Sequence, residues 1–141
     1  MQIGVEVSRA LDNRRIFIVH EDEIVRAALQ FMLHDENEAH EVPTLEEAFR
    51  KAAKSSVDLI LLDMGLVWKK GIAVLEEIGQ KIPKARVVLV AESDDDPDAH
   101  ACLSLGAHGV MGKPFTVSGV RMKVDAALGR HPSYAAWRAS F

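Results

Sequence analysis

The stretch from Val57 to Leu62 is almost wholly apolar and stops abruptly at Asp63. Leu59-Ile60-Leu61-Leu62 offers no polar face, so as a strand it must be covered on both sides, as in parallel sheets flanked by helices. A carboxylate at the exit of a buried strand is costly unless a cation, a hydrogen bond or chemistry keeps it there. Ile16-Phe17-Ile18-Val19 repeats the pattern and runs into His20-Glu21-Asp22-Glu23, while a shorter strand candidate, His108 to Met111, leads to Lys113-Pro114. Three strand ends thus present acid, acid and lysine, the charges of a phosphate-handling site.

The 141 residues, 48% hydrophobic and 27% charged, suit one soluble domain with a single core and argue against disorder. A net charge of -4 provides no basic footprint, so no direct nucleic-acid binding is expected. No apolar stretch approaches the roughly 20 residues that span a bilayer, and no signal-peptide pattern opens the chain, so the expectation is a cytoplasmic protein with no membrane partner. Cys102, the single cysteine, reads as a small packing residue.

Helical and strand signals alternate along the chain. Ile24, Val25, Ala28, Leu29, Met32 and Leu33 repeat at helical spacing between Asp22 and His34, with Asp22 suited to the N-cap. Thr44 and Glu47 form a capping-box pattern ahead of Leu45, Ala48, Phe49, Ala52 and Ala53. Glu38 to Val42 is the faintest strand, Gly71 to Gln80 a short helix, and Arg86 to Val90 a buried strand. A further helix starts near Pro97 and stops at Gly106, and a last one follows Thr116 with Val117, Val120, Val124, Ala127 and Leu128 on one face. Met64 to Gly71 reads as a solvated loop, the alternative being that Trp68, Lys69 and Lys70 form an interaction edge for an anion or acidic partner. Five strands separated by helices define an α/β fold with a mostly parallel sheet, whose ligands sit beyond the carboxyl ends of the strands.

The segments IFIVHEDEIVRAAL, VDLILLDMG, VVLVAE and LGAHGVMGKPF, in this order and spacing, resemble the receiver domain of two-component response regulators. The resemblance covers roughly residues 14 to 129, leaving 1–13 as an N-terminal extension and 130–141 as a C-terminal tail. It implies a doubly wound, flavodoxin-like (βα)5 fold with strand order 2-1-3-4-5. It also implies a signalling protein, not an enzyme, that works in a phosphorelay with a histidine kinase or phosphotransfer protein as partner, and the short tail after Leu128 leads to the expectation that it stands alone. Tyr134, Trp137 and Phe141 in the tail would pack on their own domain or in a homodimer.

By the same resemblance, Asp63 is the phosphoacceptor, Lys113 contacts the phosphoryl group, and Pro114 follows through a cis bond. Magnesium (Mg2+) would be held by Glu21, Asp63 and the backbone carbonyl of Gly65. Three positions depart from the family pattern. His20-Glu21 replaces a pair of aspartates, and imidazole is a poor ligand for a hard cation, so His20 reads as a packing or hydrogen-bonding residue and metal binding should be weakened. Ala91 replaces a Ser or Thr that would hydrogen-bond the phosphoryl group, and Val110 replaces the switch aromatic, which implies weak coupling to the output face of the fourth helix, fifth strand and fifth helix. Asp63 and Lys113 favour a phosphoacceptor. His20, Ala91 and Val110 favour the alternative, a pseudo-receiver that binds partners without phosphorylation. An aspartate-nucleophile phosphohydrolase would want a second acid where Gly65 stands.

Overall fold

The computed structural model describes residues 13–130. The N-terminal alternation of Ile3, Val5 and Val7 and the tail aromatics lie outside the described residues. Five strands, β1 (Arg15–Val19), β2 (Glu38–Val42), β3 (Leu59–Asp63), β4 (Arg86–Ala91) and β5 (Gly109–Gly112), alternate with six α-helices. The helices are α1 (Glu23–Leu33), α2 (Leu45–Ala52), α3 (Met64–Lys70), α4 (Ala73–Lys81), α5 (Pro97–Ala101), continued as a 3-10 turn (Cys102–Leu105), and α6 (Val117–Leu128). All four strand pairings are parallel and the order is β2-β1-β3-β4-β5. This is the doubly wound, flavodoxin-like arrangement.

The apolar runs are explained by alternation across the pleat. Phe17, Val19, Ile60, Leu62 and Leu89 join one core with residues of α2, α3 and α4, while Ile16, Ile18, Leu59, Leu61, Val88 and Val90 join a second core with α1 and α6. Each central strand is therefore buried on both faces. Asp58, the one charge in the third run, is used at the sheet's other end, where its carboxylate accepts from the Arg15 backbone N–H at 2.8 Å and aligns the starts of β1 and β3.

Local caps fall where the side-chain chemistry asks for them. Asp22 accepts from the N–H groups of Ile24 and Val25, Thr44 from Glu47, and Thr116 from Gly119. Cys102 is buried, and burial pushes its thiol up, which suits a packing role. The last strand begins one residue after His108, because that residue is the pin: its N–H donates to the Val87 carbonyl at 2.7 Å and its Nδ1 accepts from the Val87 N–H at 2.9 Å.

The main departure from expectation is the segment after Asp63. It is a seven-residue helix, α3, and not a solvated loop. Asp63 itself caps it by accepting from Gly65 N–H, Met64, Leu66 and Val67 bury against the sheet, and the chain leaves through Gly71 at φ 87°, a backbone region that favours glycine. Gly71 thereby ends α3 before α4 starts at Ala73.

Leu61 is fully buried in the centre of β3. Leu61→Ala should lower unfolding free energy by about 3 kcal/mol, read as a shift in urea midpoint at unchanged slope. Burial and the Arg86 cation hold the His108 ring below its ordinary value, and the Val87 N–H, a donor, can meet only an unprotonated nitrogen. Because the folded ring is the weaker base, the unfolded chain takes up more protons, so this contribution is full above about pH 6.5 and declines as pH falls below it. The stability difference between wild type and His108→Gln should therefore shrink between about pH 7.5 and pH 5.5.

Candidate functional site

The carboxyl ends of β1 and β3 meet where strand order reverses, since β1 has β2 on one side and β3 on the other. The crevice outside such a switch point is where doubly wound sheets hold ligands. Asp63 stands there as the last residue of β3, paired in register with Val90. Its side chain is 14% exposed. Oδ1 accepts from Gly65 N–H at 2.8 Å, a well-formed bond. Oδ2 lies 3.5 Å from both the Glu21 backbone nitrogen and His20 Nδ1, distances at which little hydrogen bonding remains.

His20 is buried and its Nδ1 accepts from the Asp22 N–H at 3.0 Å. A nitrogen used as acceptor carries no proton to share, so the approach to Asp63 Oδ2 is not an ion pair. Burial holds the ring below its ordinary value, against the upward pull of Asp63 and Asp22, with Lys113 and Arg26 adding to the depression. His20 thus braces the loop through its ring nitrogen. Arg26 braces the same loop from α1, donating to the carbonyls of His20 at 2.8 Å and Glu21 at 3.1 Å.

Two lysines reach the strand ends, and each is paired with a glutamate. Lys69, on α3, donates to both carboxylate oxygens of Glu21 at 2.8 Å. Lys113 donates to Glu92 Oε1 at 3.3 Å, and among the described residues no ion pair joins it to Asp63. The Lys113-Pro114 peptide is cis. Ala91 and Val110 are both buried in the same apolar core, where a methyl and an isopropyl group offer neither a hydroxyl nor a ring.

The donor set does not fit magnesium. Gly65 lies in the first turn of α3, so its carbonyl runs along the helix axis away from Asp63, and its N–H is what faces the carboxylate. Glu21 is engaged by Lys69, Asp22 by the cap of α1, and His20 Nδ1 by a backbone N–H. Among the described residues no group of three or more His, Cys, Asp or Glu could hold a metal ion. Apart from Glu21, which Lys69 holds, a cation that demands near-octahedral oxygen is left with one oxygen of Asp63.

Three contributors were not singled out from sequence. Arg26 acts on the loop five and six residues before it, Glu92 through a contact with a distant segment, and Gly112 through its missing side chain. Gly112 N–H donates to Asp94 Oδ1 at 2.7 Å, and a Cβ added there would fall 2.0 Å from the Ser93 carbonyl carbon. The loop after β4 is thereby pressed onto the residue before Lys113.

A doubly wound α/β domain with an aspartate at its switch point defines a class, and comparison with known proteins places the chain within it. The family model described as response regulator receiver domain matches residues 16–125. The alkaline phosphatase synthesis transcriptional regulatory protein PhoP of Bacillus subtilis is 33% identical over 84% of this chain and 50% of its own length. The KDP operon transcriptional regulatory protein KdpE of Escherichia coli is 31% identical over 86% of this chain and 54% of its own length. A response regulator of known structure from Thermotoga maritima superposes with a TM-score of 0.73 at 19% identity, covering 83% of this chain and 98% of that one, which shows the shared fold. The chain belongs to the response regulator receiver domain family. It spans about half the length of the curated relatives it matches. No helix among the described residues is long and apolar enough to cross a membrane.

Gly112→Ala should destabilise the domain by at least about 2 kcal/mol, because backbone atoms of Ser93 and Asp94 have to move. Hydrogen exchange should rise first at residues 92–96, checked by mass spectrometry of peptides from that loop.

Proposed function

We propose that Asp63 accepts a phosphoryl group from a phosphohistidine of a histidine kinase or phosphotransfer protein, making this chain a phosphorelay receiver. The observation that carries the reading is the asymmetry of the Asp63 carboxylate at the switch point. Gly65 N–H fixes Oδ1, and this leaves Oδ2 as the oxygen with lone pairs free to attack. In the transfer, Oδ2 forms a bond to phosphorus as the phosphorus–nitrogen bond breaks, and the imidazole of the donor leaves with the electron pair and takes up a proton. The protein's part is positioning and charge, and Lys113 supplies charge by swinging from Glu92 to the transferred group. That exchange is cheap, since an exposed ion pair of this kind is worth about 0–1 kcal/mol.

Signal output from such a site differs from the hydroxyl-and-aromatic coupling that the family pattern implies. Ala91 and Val110 supply neither group, so a change at Asp63 reaches β5 through Lys113 and the Asp94–Gly112 bond. The relatives named as transcriptional regulators carry further length that this chain does not span.

Incubation with phosphoramidate and magnesium, read by intact mass, should add one phosphoryl group to the wild type and none to Asp63→Asn. Asparagine keeps the cap of α3, so the variant stays folded. If the wild type stays unmodified while another receiver is labelled alongside, the phosphoacceptor reading fails and a pseudo-receiver that binds partners without phosphorylation takes its place.

A further inference from the structure

The family implies a divalent metal at this pocket, and the side chains here are arranged around something else. α3 starts at Asp63, and Lys69 lies four residues after Gly65, hence on the same helical face as the N–H that holds the Asp63 carboxylate. Side chains on a helix lean toward its N-terminus, so this lysine reaches back over the mouth of the pocket. It ends on both oxygens of Glu21, the carboxylate best placed to take a metal. The neighbouring Lys70 points elsewhere, to Glu46 at 2.9 Å. The same helix that turns the Gly65 carbonyl away from Asp63 therefore delivers an ammonium group to Glu21.

We propose that Lys69 is the built-in cation of this pocket, standing where a divalent metal would sit, so that Asp63 accepts a phosphoryl group without one. The catalytic half of this inference rests on the phosphoacceptor reading above, and the metal-replacing half does not. Lys69 comes from α3 and holds Glu21 after β1, while Lys113 comes from the loop after β5 and holds Glu92 after β4, so the two ammonium groups flank the β3 end that carries Asp63. Both side chains are exposed, at 66% and 41%, and both pairs are surface pairs that exchange partners at little cost. When phosphorus–nitrogen cleavage places a dianionic phosphoryl group on Oδ2, the two ammonium groups transfer their hydrogen bonds from Glu21 and Glu92 to its oxygens. A metal's charge is then supplied by two covalently held cations.

The test uses the full chain and has two arms. In the first, Mn2+ as a spectroscopic stand-in for magnesium is titrated into wild-type protein and followed by electron paramagnetic resonance. The expected result is no bound signal through the low millimolar range, and tighter binding that disappears in Glu21→Gln overturns the metal-replacing half. In the second, labelling by phosphoramidate is timed in excess chelator and in excess magnesium. Equal wild-type rates are expected, with a loss of about tenfold or more in Lys69→Gln, partial recovery in Lys69→Arg, and no change in Lys70→Gln. Urea midpoints of the Lys69 variants should match the wild type, because the lost pair is exposed. Labelling that needs magnesium, or that survives Lys69→Gln at full rate, overturns the catalytic half. Labelling under neither condition ends the phosphoacceptor reading and the catalytic role together, and the Mn2+ titration then decides separately whether Lys69 replaces the metal.

Discussion

Burial of β1 and β3 on both faces is the constraint from which the rest of the molecule follows. Ile16, Ile18, Val19, Leu59, Ile60, Leu61 and Leu62 are all fully buried, and together they remove a large apolar area from water at about 25 cal/mol per Å². Strands closed above and below by helices can carry polar groups only at their ends. The chain accordingly places Asp58 at one end of β3, where it organises backbone, and Asp63 at the other, where it caps α3 at the switch point. Fold and site are thus set by the same four residues of sequence.

What Asp63 does locally is as important as what it offers a ligand. By capping α3 it converts the following segment into helix, and that helix decides which backbone group faces the carboxylate and which lysine reaches Glu21. The pocket's charge pattern is therefore a consequence of secondary structure, with the buried side chains Leu66 and Val67 holding α3 against the sheet.

Much of this was legible in the sequence, and the limits have physical causes. The five strands, the helix starts at Asp22, Thr44, Pro97 and Thr116, and the positions of Glu21, Asp63 and Lys113 at strand ends rest on local periodicity and cap chemistry, which the sequence displays directly. α3 was hidden because seven residues with a glycine at the second position hold no sustained 3.6-residue repeat, and because its cap is a residue that also reads as a nucleophile. Lys69 read as surface charge because its partner lies 48 positions away and is reached only once the direction of α3 is known. Gly112 under Asp94 is likewise a meeting of separate segments, which no local pattern announces, and Arg26 finds the loop carbonyls of His20 and Glu21 only once the chain turns from β1 into α1.

The contact between Gly112 and the loop after β4 has a mechanical consequence. Asp94 Oδ1 grips the Gly112 N–H, the Ser93 backbone rests where a Cβ would be, and Glu92 holds the Lys113 ammonium two residues before that grip. The ends of β4 and β5 are therefore fastened at one point, Asp94 on Gly112, with the exposed Lys113–Glu92 pair lying just outside that grip. Because the grip is on the Gly112 backbone, the loop after β4 keeps its place against the start of the Lys113-Pro114 turn whichever partner the Lys113 ammonium takes.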